Sequence, residues 1–149
     1  MSSWLSGVVA VLGLLLTLGC GGPQDLSKPR EESNLKHVSI LYGKFIQKNK
    51  GQPPANEAAF KAFISALSPE ELKSAGVETT EGVLISNRDN QPYVVVYGPA
   101  TGPATGPGNR PVIAYEQTGI DGKRYVATDL GGVEEVDEVK FKELVPNPK

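Results

Sequence analysis

The segment that most constrains this chain is Trp4 to Gly19, WLSGVVAVLGLLLTLG, which has no charged residue and runs directly into Cys20-Gly21-Gly22-Pro23. An apolar run of about 16 residues falls short of the roughly 20 that cross a bilayer, but it suits the apolar part of a secretory signal. The segment therefore reads as a targeting device, and the folded part lies beyond it. The chain has 149 residues, so the remainder amounts to one domain. A single Cys excludes an intramolecular disulfide framework, and one Cys with one His leaves no zinc cluster of the usual spacings. Charge is nearly balanced, 15 Lys and Arg against 17 Asp and Glu. No nucleic-acid partner is expected, because phosphate binding needs an excess of basic residues gathered in a stripe.

The run Leu14-Leu15-Leu16-Thr17-Leu18-Gly19-Cys20 resembles the lipobox of bacterial lipoproteins, in which a Leu and two small residues precede a Cys that is cleaved before and acylated. Gly19 fits that pattern, while Thr17 and Leu18 replace the usual Leu and a smaller residue. The resemblance implies a signal peptide over residues 1–19, acylation such as palmitate on Cys20, and a protein held to a cell-envelope membrane on its extracytoplasmic, periplasmic side. Several acyl chains, at about 0.8 kcal/mol per buried CH₂, hold a protein to a membrane far more firmly than one chain does. Residues 20–32 continue as CGGPQDLSKPREE, rich in Gly, Pro and charge and without apolar periodicity. They read as a flexible tether that keeps a domain over residues 33–149 near its anchor.

That domain opens with helical patterning. Leu35, Val38, Leu41, Tyr42, Phe45 and Ile46 recur at the 3 and 4 spacing of one helical face, with Lys36, His37, Lys44, Gln47 and Lys48 on the other. Only Ile40 breaks the pattern. Gly51 supplies a stop, reinforced by Pro53-Pro54. Asn56 is a good N-cap for a second helix, NEAAFKAFISAL, whose inner face holds Phe60, Phe63, Ile64 and Leu67. Ser68-Pro69-Glu70-Glu71 is a capping box with Pro at the first helical position, opening a short third helix that stops at Gly76.

The second half changes period. Val83-Leu84-Ile85, Tyr93 to Tyr97, Val112 to Tyr115 and Tyr125 to Ala127 are short β-branched and aromatic runs separated by turn formers. Short connections favour antiparallel neighbours. A strand over Val133 to Val136 and a terminal helical turn from Asp137 to Leu144 complete the pattern, with Val139 and Phe141 offering apolar contacts. Helices followed by strands define an α+β domain: N-terminal helices, one long and amphipathic, packed on a small antiparallel sheet. The GPAT repeat between Gly98 and Pro107 has no aromatic or charged group and reads as a mobile hairpin loop.

Chemistry is sparse. G-x-S-x-G, P-loop, dinucleotide, H-E-x-x-H and EF-hand motifs are all lacking, and each would fix a backbone geometry that its reaction needs. His37 falls off the apolar stripe beside Lys36 and reads as a solvated surface residue. Cys20 sits at the end of a tether, away from any base that could activate a thiol. Glu70 and Glu71 suit a helix's first turn. Glu134, Glu135, Asp137 and Glu138 form a solvated acidic edge, or with Asp129 or Asp121 could supply oxygen ligands to Ca²⁺. No catalytic residue, metal or cofactor is expected.

Three stretches carry a more specific likeness. They are Leu41-Tyr42-Gly43-Lys44-Phe45 with Gly51-Gln52-Pro53-Pro54; Ser86 to Gly98; and Val112-Ile113-Ala114-Tyr115-Glu116 leading to Asp129-Leu130-Gly131-Gly132-Val133-Glu134-Glu135-Val136. Together they resemble small secreted lipoproteins of planctomycete-type bacteria, which are similar in turn to the globular part of type II secretion pseudopilins. That resemblance implies a long amphipathic helix on an antiparallel sheet, closed by a D-G-x-V-like turn. A pseudopilin keeps its apolar segment continuous with the long helix, with a Glu shortly after the cleavage point. Here Cys20-Gly21-Gly22-Pro23 interrupts it and no such Glu occurs. The expectation is a non-enzymatic binding or structural module of the cell envelope, anchored through lipid and partnered with another envelope protein. The alternative is a pilin-like subunit of a type II secretion-type apparatus.

Overall fold

The computed structural model describes residues 33–99 and 106–148. The signal segment 1–19, Cys20, the tether up to residue 32 and residues 100–105 of the GPAT repeat lie outside the described residues. Helix α1, Asn34–Lys48, has a defined beginning: Ser33 is extended, with φ −71° and ψ 131°, and its hydroxyl accepts from the Leu35 amide. The expected face is the buried one, with Leu35, Val38, Leu41, Tyr42 and Phe45 in the core and Ile46 half-buried. Ile40, which falls outside the stripe, is also half-buried and packs against the same core. The helix ends where Lys50 and Gly51 turn left-handed, and the Gly51 amide donates to the Ile46 carbonyl at 2.8 Å.

Helix α2, Glu57–Ser65, is capped by Asn56, whose side chain accepts from the Ala59 amide at 2.9 Å. Its Phe60 meets Tyr42 and Phe45 edge-on, with ring centroids 5.7 and 6.3 Å apart. Helix α3, Pro69–Ser74, carries the complete capping box between Ser68 and Glu71.

Strands β1 (Val94–Val95), β2 (Ala114–Tyr115), β3 (Lys123–Ala127) and β4 (Val133–Asp137) form an antiparallel meander in that order. Helix α4, Glu138–Leu144, follows β4 directly and is capped by the Asp137 carboxylate. The α+β class is therefore as the sequence indicated, but the layering is richer. Tyr125 and Ala127 face the α1 core, together with Val95 and Ala114. Val126 and Tyr115 face the other way, against Phe141 and Leu144 of α4. Alternation by two thus buries both sides of the sheet at β2 and the end of β3, which is why Val112 to Tyr115 and Tyr125 to Ala127 read as continuous apolar runs.

Two expectations need correction. Val83-Leu84-Ile85 is a turn, with only a single bridge from Ile85 to Pro92. Gly82 has φ +73°, its carbonyl accepts from the Ile85 amide, and the Asn34 side chain takes the Gly82 and Ile85 carbonyls at 3.3 and 3.0 Å. Pairing stops at that bridge and the bonds beside it, in which the Tyr93 amide donates to the Leu84 carbonyl and the Ser86 amide to the Gln91 carbonyl, while Val83 is buried in the core and Leu84 packs against it. Val139, expected as an apolar contact, is 71% exposed, because α4 turns Phe141 and Leu144 inward instead. The runs at Tyr93 to Tyr97 and Val112 to Tyr115 also contribute only two regular ladder residues each, although the Val96 amide still reaches the Ile113 carbonyl at 2.8 Å.

Helix α1 is fixed against the sheet by polar contacts as well as apolar ones. The buried Ser39 hydroxyl donates to the Thr128 carbonyl and accepts from the Gly131 amide at 2.8 Å, tying the helix to the turn between β3 and β4. Gly43, one turn further on, lies directly against the Asp129 carbonyl. In an ordinary helix interior Gly→Ala gains roughly 0.5–1 kcal/mol. Here the added Cβ would overlap that carbonyl oxygen, so Gly43→Ala is expected to destabilise the domain by about 1–3 kcal/mol. Urea denaturation should show a lower midpoint with an unchanged slope; a raised midpoint would mean that the turn yields.

Candidate functional site

Tyr115 is followed by Glu116, whose side chain is 0% exposed. Strand alternation puts it on the same side as Ala114, facing the start of α1. A carboxylate in that position must be matched by donors or give up its charge. Two segments supply the match. The Tyr125 amide of β3 donates to Oε2 at 2.9 Å, and the Ser86 hydroxyl donates to Oε1 at 3.1 Å. Arg88 brings Nη1 to 3.4 Å from Oε2, while its Nη2 donates to Glu135 of β4 at 3.0 Å. The guanidinium also lies over the Tyr125 ring, 3.9 Å from its centroid.

The turn that carries Arg88 is organised by its own polar groups. Ser86 Oγ accepts from the Arg88 amide at 3.1 Å, and Asp89 accepts from the Gln91 and Gly119 amides at 3.1 and 2.9 Å. Burial works against the charge on Asp89, yet those bonds and Ser86 hold its carboxyl below the ordinary value. Glu116 goes the other way: burial raises its carboxyl above the ordinary value, against the Tyr125 amide, Arg88 and Ser86. Tyr93 is buried beside Ser33 and Ser86 without a well-formed hydrogen bond from its hydroxyl, and burial pushes its phenol up.

The residues singled out in the sequence are not brought together. Cys20, the expected lipidation site, lies outside the described residues. His37 is half-buried rather than solvated, and a Cβ built on Gly76 would lie 2.9 Å from its Nε2. Burial first and Lys36 second lower its pKa. It lines a cavity of about 430 Å³ with Asn34, Gly76, Glu78, Thr79 and Glu81.

The acidic edge is taken apart by pairing. Neighbouring strand residues Glu134 and Glu135 point to opposite faces, and Glu135 goes to Arg88. Asp137 accepts from the Lys140 amide at 2.8 Å. Glu138 pairs with Arg124 and Lys142, and Arg110 grips both oxygens of Asp129 at 2.5 and 2.6 Å. Asp121 sits in the turn before β3 with φ +51°. Among the described residues no three His, Cys, Asp or Glu side chains are grouped to hold a metal ion. Glu70 and Glu71 occupy the first turn of α3, where Glu71 also meets Lys48 at 2.5 Å.

The charged hub around Glu116 escapes a reading by motif. One signal was available: a carboxylate in phase with the core side of an apolar strand. Chemically the hub binds charge to charge and backbone, with the guanidinium already occupied by two carboxylates. No family model, no curated protein and no solved structure matches the chain significantly.

Two measurements probe the hub. Because the folded-state pKa of Glu116 is raised, the folded protein keeps its proton at pH values where the unfolded chain, near 4.5, has lost it. Its contribution to stability is full below that value and declines as pH rises through the folded value. Glu116→Gln should remove this component, flattening the stability curve of the variant above pH 4.5 relative to the parent. Arg88→Met leaves two carboxylates without their cation and should cost about 3 kcal/mol, as for other broken buried pairs. Paired denaturation curves across pH test both; parallel curves for parent and Glu116→Gln would refute the first.

Proposed function

We propose that this chain is a lipid-anchored, non-enzymatic module on the extracytoplasmic side of a cell-envelope membrane, binding or supporting another envelope component on a pseudopilin-like scaffold. The observation that carries this reading is the way α1 begins. Ser33 is extended and caps the helix with its own hydroxyl, so α1 has an N-terminus of its own. Before it, Gly21-Gly22-Pro23 and a polar stretch separate the helix from the apolar run that ends at Cys20. A pilin-type subunit needs the apolar segment and the long helix to be one rod, so a capped start at Ser33 favours a separate anchor and weighs against the filament alternative. The long helix on an antiparallel meander is the arrangement implied by the resemblance to pseudopilin globular parts.

The charge pattern supports a structural or binding role. The buried or half-buried charges at Arg88, Glu116, Glu135 and Asp129 all face partners within the fold. The anchor makes the reading testable. Mass spectrometry of the chain from a membrane fraction should find a mature N-terminus at Cys20 carrying acyl groups. Cys20→Ala should shift the protein out of that fraction without altering its melting temperature. A mature chain that begins elsewhere, or an unmodified Cys20, would overturn the proposal; an intact Trp4 to Gly19 segment in assembled filaments would revive the alternative.

A further inference from the structure

The end of the domain at which the chain enters is bordered by exposed apolar side chains. Asn34, the first residue of α1, donates through its side chain to the Ile85 carbonyl at 3.0 Å, so the loop carrying Ile85 is bound to the helix start. Ile85 is 44% exposed. Ser86 follows it and organises the turn to Asp89, whose carboxylate accepts from the Gly119 amide at 2.9 Å. That bond fixes the tip of the β2 to β3 hairpin, where Ile120 is 39% exposed. Asn34, Ile85, the Ser86 to Asp89 turn and Ile120 are thus linked in one continuous border.

We propose that this border is a membrane-contact edge, with Ile85 and Ile120 inserting into the surface of the bilayer that holds the anchor. The inference rests on the lipid-anchored reading above. Twelve residues separate Cys20 from Ser33. Even fully extended, that length of chain reaches at most about 45 Å, so the Ser33 end of the domain cannot leave the neighbourhood of the lipid that Cys20 occupies. Such tethering raises the effective concentration of the surface to the millimolar range, where contacts too weak to recruit a free protein become populated. Apolar side chains at the headgroup boundary lose water-exposed area, and with a net charge of −2 that loss, not attraction to anionic lipid, must supply the contact.

Leu130 separates this idea from simple exposure. It is 70% exposed, more than either isoleucine. Its turn is bound through Gly131 to Ser39, however, one and a half helical turns along α1 from Ser33. An apolar side chain at that station should stay in water.

The test uses the full acylated chain in vesicles of phosphatidylethanolamine and phosphatidylglycerol with brominated acyl chains. Single variants Ile85→Cys, Ile120→Cys, Leu130→Cys and Gln47→Cys each carry an environment-sensitive thiol fluorophore, with melting curves verifying the fold. Flotation with the vesicles and the absence of label on Cys20 report the anchor independently of the edge. The expected result is flotation of all four, with at least twofold quenching and blue-shifted emission at positions 85 and 120 only. Flotation without quenching at those two positions, or equal quenching at all four, would overturn the contact edge while leaving the anchor intact. Failure to float, with Cys20 labelled, would overturn both.

Discussion

A carboxylate with no exposure to water sets the terms for much of this fold. Glu116 is acceptable where it lies only because an amide from β3, a hydroxyl from Ser86 and the guanidinium of Arg88 converge on it. Ser86 and Arg88 share one turn and Tyr125 lies on β3, so matching one charge at the end of β2 fixes that turn and β3 relative to it. Arg88 extends the arrangement to Glu135 on β4, and Asp89 extends it to the β2 to β3 hairpin. Buried ion pairs are weak sources of net stability, but an incomplete one is severely unfavourable. Their effect is therefore on which arrangement is adopted: a packing that separates Arg88 from Glu116 leaves both in poor surroundings.

The apolar packing is arranged around the same sheet. Because both faces of β3 are covered, α1 with α2 on one side and α4 on the other, the strand has almost no freedom of register. Sliding it by one residue would exchange Tyr125 and Ala127 with Val126 across the two cores. Ser39 and Gly43 bring α1 close enough to the β3 to β4 turn for hydrogen bonding and direct backbone contact, so the helix is held in axial position as well as in rotation.

Local signals were legible in the sequence and tertiary ones were not. The 3.6-residue stripe from Leu35 to Ile46, the Asn56 cap and the Ser68 to Glu71 capping box depend on neighbours within a few turns, and each forms as its residues indicate. Val83 to Ile85 is too short for its period to distinguish strand from turn, and the deciding partner, Asn34, lies about fifty residues away. Val139 failed for a related reason. In a helix of seven residues the inward face is chosen by the sheet it lands on, and Phe141 and Leu144 took it. The acidic stretch near the C-terminus resembles a single surface when charges are read along the chain. In space, strand alternation and arginines from three other segments divide it. Glu116 was visible only as a carboxylate in phase with the core side of a strand, since its depth is a property of the whole fold.

The capped start of α1 also has a mechanical meaning. Any tension arriving along the chain from its N-terminal side reaches Ser33 and Asn34 first. Asn34 passes part of it to the Gly82 and Ile85 carbonyls, and Ser39 passes the rest to the turn beyond β3. Those attachments lie on different segments and are spread along the helix, so displacing the start of α1 disturbs loops that are far apart in the sequence. The first two turns of α1 are thus coupled to both halves of the domain, and a disturbance at Ser33 reaches the loop before β1 and the turn after β3 together.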